Sequence, residues 1–191
     1  MKRLEIEYTL GAMDSLVSLA RYNFVNRVIG DKNKKVLDFG CGSGYGTVVL
    51  KEHFNDVTSY DEFPDGYLPK SIRVEQDLSK LSKAAFDVLT CFEVIEHMDQ
   101  DAQTKLMDNL TSFLKKDGTL FISTVRKMDP PPTENRKKEH VRELTYKELY
   151  DFCAERFSNV YTFGQIDQVI STFYPENHYH FVFICSGVKN A

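Results

Sequence analysis

The chain has 191 residues, 42% of them hydrophobic and 27% charged, with 14 Phe, 10 Tyr and no Trp. This is an ordinary globular balance with room for one core, and a second independent core would be cramped. The formal net charge of −4 argues against a protein whose whole surface grips nucleic acid, while a local basic patch stays compatible with it.

No apolar run approaches the roughly 20 residues of a membrane span. The first ten residues, "MKRLEIEYTL", lack the apolar core and small-residue cleavage site of a signal peptide. Cys41, Cys91, Cys153 and Cys185 form no CxxC pair. The expectation is therefore a cytoplasmic protein with buried, reduced thiols and neither a zinc site nor a disulfide framework.

In chain order, residues 12 to 30 carry apolar positions at a helical period (Leu16, Val17, Leu19, Ala20, Phe24, Val25, Val28) that stops at Gly30. "KKVLDFG" is a short β-rich run ending on glycine, and "TVVLKEHF" returns to helical spacing. "DVTSYD", "SIRVEQD", "FDVLTCF" and "GTLFIST" are further short strands, with a helix expected over 99 to 116. Strands alternating with helices predict a parallel α/β sheet with right-handed crossovers. An irregular charged stretch containing "DPPPTENRKKEH" follows, then a helix beginning at Thr145 with Glu148 at capping-box spacing. "SNVYTFGQI" and "HYHFVFICSG" have no helix evident between them and predict an antiparallel pair at the sheet edge. The expected fold is α/β, Rossmann-like and doubly wound, with seven strands, mostly parallel and closed by an antiparallel C-terminal edge hairpin.

"VLDFGCGSGYGT" (36 to 47) is the most informative stretch. Gly40, Gly42 and Gly44 allow a tight turn against a ligand between strand and helix. No starting glycine gives G-x-G-x-x-G, because the third position falls on Tyr45, Thr47 or Val49, and no P-loop is present. What the stretch resembles is motif I of the class I S-adenosylmethionine-dependent methyltransferases, an acidic residue followed by G-x-G-x-G, here Asp38, Gly40, Gly42 and Gly44. A zwitterionic methionine beside a sulfonium suits close backbone contact and a carboxylate, with no pyrophosphate to cradle.

The resemblance continues down the chain. Asp61, 21 positions after Gly40, matches the residue that binds the ribose hydroxyls in that family, and Asp77 matches the one facing the adenine amino group. "FDVLTCFEVIEH" is similar to the fourth-strand motif, and "LKKDGTLFIST" to the turn and fifth strand. The implied cofactor contacts are Asp38, Gly40, Cys41, Gly42, Gly44, Asp61, Glu62, Asp77, Leu78 and Glu93. The implied layout is one domain over 1–191: a helical segment (1–32), a cofactor-binding core (33–125), a charged lid-like loop (126–144), and a C-terminal helix with edge strands (145–191).

"CFEVIEHM" (91 to 98) places Glu93, Glu96 and His97 at i, i+3 and i+4, one face of a helix. In ubiquinone-pathway O-methyltransferases and small-RNA 3′-terminal 2′-O-methyltransferases, E-x-x-E-H residues bind a divalent cation, and in the latter a downstream histidine completes the site. His140, in "KEHVRELTYKEL", lies in a similar place. The resemblance thus implies Mg2+ or Mn2+ on Glu93, Glu96, His97 and His140, with His97 and His140 catalytic; such a ligand set also suits Fe2+. The alternative is a helix start favoured by its dipole, with His97 bonded within the fold. Both readings stand at this point.

Residues 139 to 165 also resemble a segment of bacterial and viral methyltransferases of glycan and small-metabolite pathways, as do Arg21 and Tyr22. That places Arg126, His140 and Arg142 on the acceptor side. The stretch 126 to 142 holds six Lys or Arg against three acidic residues, the pattern of a lid for an anionic acceptor or of a solvated loop. "ISTVRK" departs from the family's "TPN"-like ending. The expected activity is methyl transfer from S-adenosylmethionine to a small-molecule or glycan-type acceptor at oxygen. The competing readings are an RNA 2′-O-methyltransferase using a divalent metal and a non-catalytic ligand-binding protein. No membrane partner is expected.

Overall fold

The computed structural model describes residues 10–64, 68–131 and 133–189. In chain order the elements are α1 (Leu10–Val28), β1 (Lys35–Phe39), α2 (Tyr45–Lys51), β2 (Asp56–Tyr60), β3 (Val74–Glu75), β4 (Phe86–Phe92), α3 (Gln100–Phe113), β5 (Leu114–Val125), α4 (Glu134–Glu139), α5 (Tyr146–Arg156), β6 (Phe157–Gln165), β7 (Ile170–Ser171) and β8 (His180–Val188). They build a sheet in the order β3-β2-β1-β4-β5-β8-β6-β7. β1 to β5 run parallel, and β8 lies antiparallel between β5 and β6.

The sheet has eight strands where seven are expected; β7, two residues long, pairs with Gly164 and Gln165. The predicted antiparallel pairing of the C-terminal runs is present, and the last strand occupies the inner position beside β5. Adjacent strand residues face opposite layers. Leu37, Leu89 and Leu120 pack with Leu106, Met107 and Leu110 of α3 and Leu149 and Cys153 of α5. Val36, Val88 and Phe121 pack with Tyr22 and Val25 of α1 and Leu50 of α2. This alternation is why buried strands read as continuous apolar runs.

Local chemistry sets the helix starts. Asp99 accepts from the Ala102 N–H at 2.9 Å to cap α3. Thr145 and Glu148 form the predicted reciprocal capping box of α5. The stretch expected to be irregular contains α4, capped by Thr133, whose Oγ1 accepts from the Arg136 N–H. α2 packs on α1 at Gly46, where any Cβ would overlap the Tyr22 ring. The four cysteines are free and buried.

Candidate active site

The C-terminal ends of β1, β2 and β4 open onto a cleft of about 850 Å3 whose walls include Gly40, Gly42, Asp61, Glu62, Leu78, Glu93 and His97. Open α/β sheets bind ligands at this edge. The loop after β1 is held by backbone: Gly40 and Cys41 both donate to the Tyr60 carbonyl, at 2.8 and 3.1 Å. Gly40 has φ +74, and a Cβ there would drive into Val94 of the β4–α3 turn, so the residue must be glycine on two counts. The Asp61 carboxylate accepts from the Gly42 N–H at 2.8 Å and, through its other oxygen, from the Phe63 N–H at 2.9 Å. It is thereby locked at the lip of the cleft with lone pairs to spare.

Asp38 lies beneath the loop rather than in the cleft. Its buried carboxyl accepts from the hydroxyls of Thr47 (2.6 Å) and Thr90 (2.8 Å). Burial pushes its pKa up to about 6, against those hydrogen bonds. Asp38 thus ties α2 and β4 to β1. Cys41 is also buried, its thiol pushed up to about 12 by desolvation and then by Asp38 and Asp61. Gly44, at φ +76, is the N-cap of α2. Asp77 caps the turn Leu78–Lys80 by accepting from the Ser79 N–H and hydroxyl. Glu62 and Leu78 line the cleft directly.

The E-x-x-E-H stretch is not an α-helical face. Glu93 adopts φ +55, a left-handed conformation that strains a non-glycine residue. Ile95–His97 form a single 3-10 turn, and α3 begins only after Asp99. The three side chains therefore do not share a helical face, and Glu93 is set apart from the other two. Glu93 accepts from Ser123 Oγ at 2.6 Å and lies 4.0 Å from Arg21 and 3.5 Å from His180. Glu96 is buried and accepts from Thr124 Oγ1 at 2.9 Å. The two carboxyls titrate in opposite directions. Burial works to raise both. At Glu93 it is outweighed by the Arg21 guanidinium, His180 and Ser123, which hold the pKa below its usual value. At Glu96 the Glu93 charge adds to burial, and the pKa stands well above the usual range.

Glu96, His97 and His140 come together, one ligand atom of each lying within 4.8 Å of the others. Glu93 is outside this cluster. His97 Nδ1 is 2.9 Å from the Glu139 carbonyl oxygen. His140 Nδ1 is 2.6 Å from Glu143 Oε1, a carboxylate that also takes the Arg136 Nε–H. Carbonyl and carboxylate oxygens only accept, so each ring donates its Nδ1–H, and in the neutral imidazole Nε2 is then the lone-pair nitrogen. Metal-ligating histidines are commonly oriented this way.

Of the residues expected on the acceptor side, Arg142 donates to Gln103 and Glu148 and its backbone N–H to the Glu96 carbonyl, bracketing the turn. Arg126 donates to the Asn177 carbonyl at 3.1 Å. Apart from Arg21, named only within a family resemblance, sequence reasoning missed the wall behind Glu93. Arg21, buried on α1, donates to Gln165 Oε1 at 2.9 Å across 144 positions. His180 opens β8, its pKa lowered by burial against the pull of Glu93. Tyr60, Val94 and Lys105 also line the cleft. Tyr60, directly before Asp61 at the end of β2, was the one with a legible signal.

A backbone-built glycine loop and a carboxylate at its lip, on a doubly wound α/β sheet, define a methyltransferase-fold enzyme. The chain belongs to the methyltransferase-domain family, whose sequence model matches residues 14–171. A ubiquinone biosynthesis O-methyltransferase of Coxiella burnetii is 32% identical over 124 residues, covering 59% of this chain and 52% of the relative. The chain thus spans about half the length of the curated relatives it matches. Among solved structures, 1,6-didemethyltoxoflavin N1-methyltransferase of Burkholderia thailandensis, crystallised with its substrate and S-adenosylhomocysteine, superposes with a TM-score of 0.61 at 18% identity, covering 96% of this chain and 94% of that one. The methyltransferase domain of bacterial CtHen1-C gives 0.66 at 22% identity, covering 91% and 100%. These likenesses show the fold. Among the described residues, no helix is long and apolar enough to cross a membrane.

Proposed function

We propose that the chain transfers the methyl group of S-adenosylmethionine to a hydroxyl of a small-molecule or glycan-type acceptor. The observation that carries this reading is the Gly42–Asp61 bracket at the mouth of the cleft. Asp61, already fixed by two backbone N–H groups, directs its remaining lone pairs to a ribose diol. The glycine loop admits the methionine end, and Glu93, held as an anion, faces the cationic sulfonium side. The sulfonium is its own leaving group, so the protein's task is to align the acceptor oxygen in line with the methyl carbon and to take up its proton. The Coxiella relative, named for O-methylation, supports oxygen as the acceptor atom.

The residues present fit a divalent cation at Glu96, His97 and His140, because a ligand atom of each lies within 4.8 Å of the others and the Nδ1 partners leave both Nε2 atoms uncommitted. Glu96, His97 and His140 would hold such an ion, and the chemistry it would supply is a lowered pKa of an acceptor hydroxyl. His97 and His140 are the residues assigned to the reacting hydroxyl, and Arg126 and Arg142 border it. Glu93 belongs to the cofactor wall in this reading. The same cluster favours a second reading, RNA 2′-O-methylation.

Calorimetry with S-adenosylhomocysteine tests the core claim, and absence of binding to the intact chain overturns it. Radiolabelled methyl incorporation into a small-metabolite extract, and not into total RNA, is expected for the first reading; the reverse selects the second.

A further inference from the structure

A second cavity, about 410 Å3, lies on the far side of the His97–His140 pair. It is lined by Lys127, Arg136, Lys137 and Arg142 against Asp129 and Glu143, with His140 in its wall. His97 lines the cofactor cleft, and the two imidazoles meet at a ring separation of 5.1 Å, nearly perpendicular. The cavities therefore share a seam made of the two histidines. On a chain of net charge −4, this cavity is a positive island, and a concave site of one sign concentrates counter-charge.

The cations differ in what they have left to give. Arg136 is committed to Glu143, the Tyr179 hydroxyl and the Arg126 carbonyl. Arg142 is committed to Gln103 and Glu148. Lys127 and Lys137 are exposed and form no ion pair among the described residues. Two ammonium point charges on flexible stems, with both guanidinium forks occupied, suit a compact tetrahedral dianion better than a planar carboxylate, which favours an Arg fork.

We propose that this basic cavity holds a phosphate group of the methyl acceptor, bound by Lys127 and Lys137, so that a hydroxyl of the same molecule reaches the seam at His140. The acceptor is then a small phosphorylated hydroxy compound of sugar-phosphate size, since the volume suits one such group and the net negative chain repels a long polyanion. The inference rests on the methyltransferase reading above.

Calorimetry on the full chain at low salt, with ribose 5-phosphate, ribose, a short single-stranded RNA and S-adenosylhomocysteine as probes, tests it. Ribose 5-phosphate is expected to bind and ribose not. The Lys127→Gln, Lys137→Gln double variant is expected to weaken ribose 5-phosphate by at least about tenfold, added salt to weaken it likewise, and S-adenosylhomocysteine affinity to stay unchanged. Ribose 5-phosphate that fails to bind, or that binds the double variant equally well, overturns the phosphate site while cofactor binding stands. RNA binding far tighter than ribose 5-phosphate, lost in the same variant, overturns the small acceptor in favour of nucleic acid. Loss of S-adenosylhomocysteine binding by the unsubstituted chain strikes the methyltransferase reading itself.

Discussion

The two walls of the cleft are made of different materials. The glycine-loop wall is nearly contiguous, Gly40 to Gly44 with Asp61 added, and its contacts are backbone N–H groups and one locked carboxylate. The facing wall presents Glu93 and His97, backed by Arg21, His140 and His180 from three further segments, and it is held mainly by side chains bonded to other side chains. Backbone dipoles do not titrate, whereas the facing wall includes Glu93 and His180, whose pKa values are both lowered by their surroundings. The glycine wall is expected to be indifferent to pH and sensitive to sterics; the other is expected to be the reverse.

The largest expected effect falls on the side-chain wall. Glu93→Gln leaves the buried Arg21 guanidinium without its counter-charge and is expected to cost about 3 kcal/mol of stability in urea unfolding. A variant as stable as the parent would mean that the wall is not knit by charge. Across the cleft, Asp61→Ala is expected to reduce S-adenosylhomocysteine affinity roughly 100-fold with little change in unfolding, because it removes charged hydrogen bonds to ligand and loop at an incompletely buried site. If stability falls as much as affinity, the two walls are one cooperative unit.

Asp38 sharpens the comparison from below the loop. Its folded pKa of about 6 exceeds the ordinary 3.8, so its favourable contribution is complete below about pH 4 and is lost as pH rises through 6. Asp38→Asn does not titrate. The substituted chain is therefore expected to gain on the parent by about 2 kcal/mol between pH 4 and 7, whatever constant offset the altered Thr47 and Thr90 bonds introduce. Unfolding curves at both pH values read this directly, and a pH-independent difference would contradict it.

The smallest effect is expected three residues beyond Glu93. Burial and the Glu93 charge raise the Glu96 pKa well above its usual range, so its site favours the neutral carboxyl that an amide imitates. Glu96→Gln is then expected to change stability at pH 7 by less than about 1 kcal/mol. The same substitution is expected to weaken Mn2+ binding, and Mn2+ affinity of the parent is expected to rise with pH, since binding releases the proton. A parent chain that shows no response to added Mn2+ removes the metal from the account.

How much of this was legible in the sequence follows the same division. The strand-to-glycine passage at 36–44 and the Thr145–Glu148 capping box depend on neighbours a few positions away, so local propensity suffices to read them. The E-x-x-E-H spacing misleads because helical periodicity presumes helical backbone, and Glu93 at φ +55 followed by one 3-10 turn breaks it. α4 hides behind three prolines, which read as extended chain until the Thr133 cap is seen. The placement of β8 inside β6, the two-residue β7 and the Arg21–Gln165 bond are decided by long-range packing that no local pattern encodes.

The close approach of Gly40 to Val94 has a consequence for anyone who would redesign this enzyme. It is the joint at which the two walls touch, and it has no slack: a methyl group added at Gly40 meets Val94, and trimming Val94 would still leave the strain of φ +74. The stretch from 126 to 144 meets the cleft only past His97 and His140. If that stretch meets the acceptor as proposed, redesign belongs there, with Val94 kept as the fixed post around which the exchangeable part is hung.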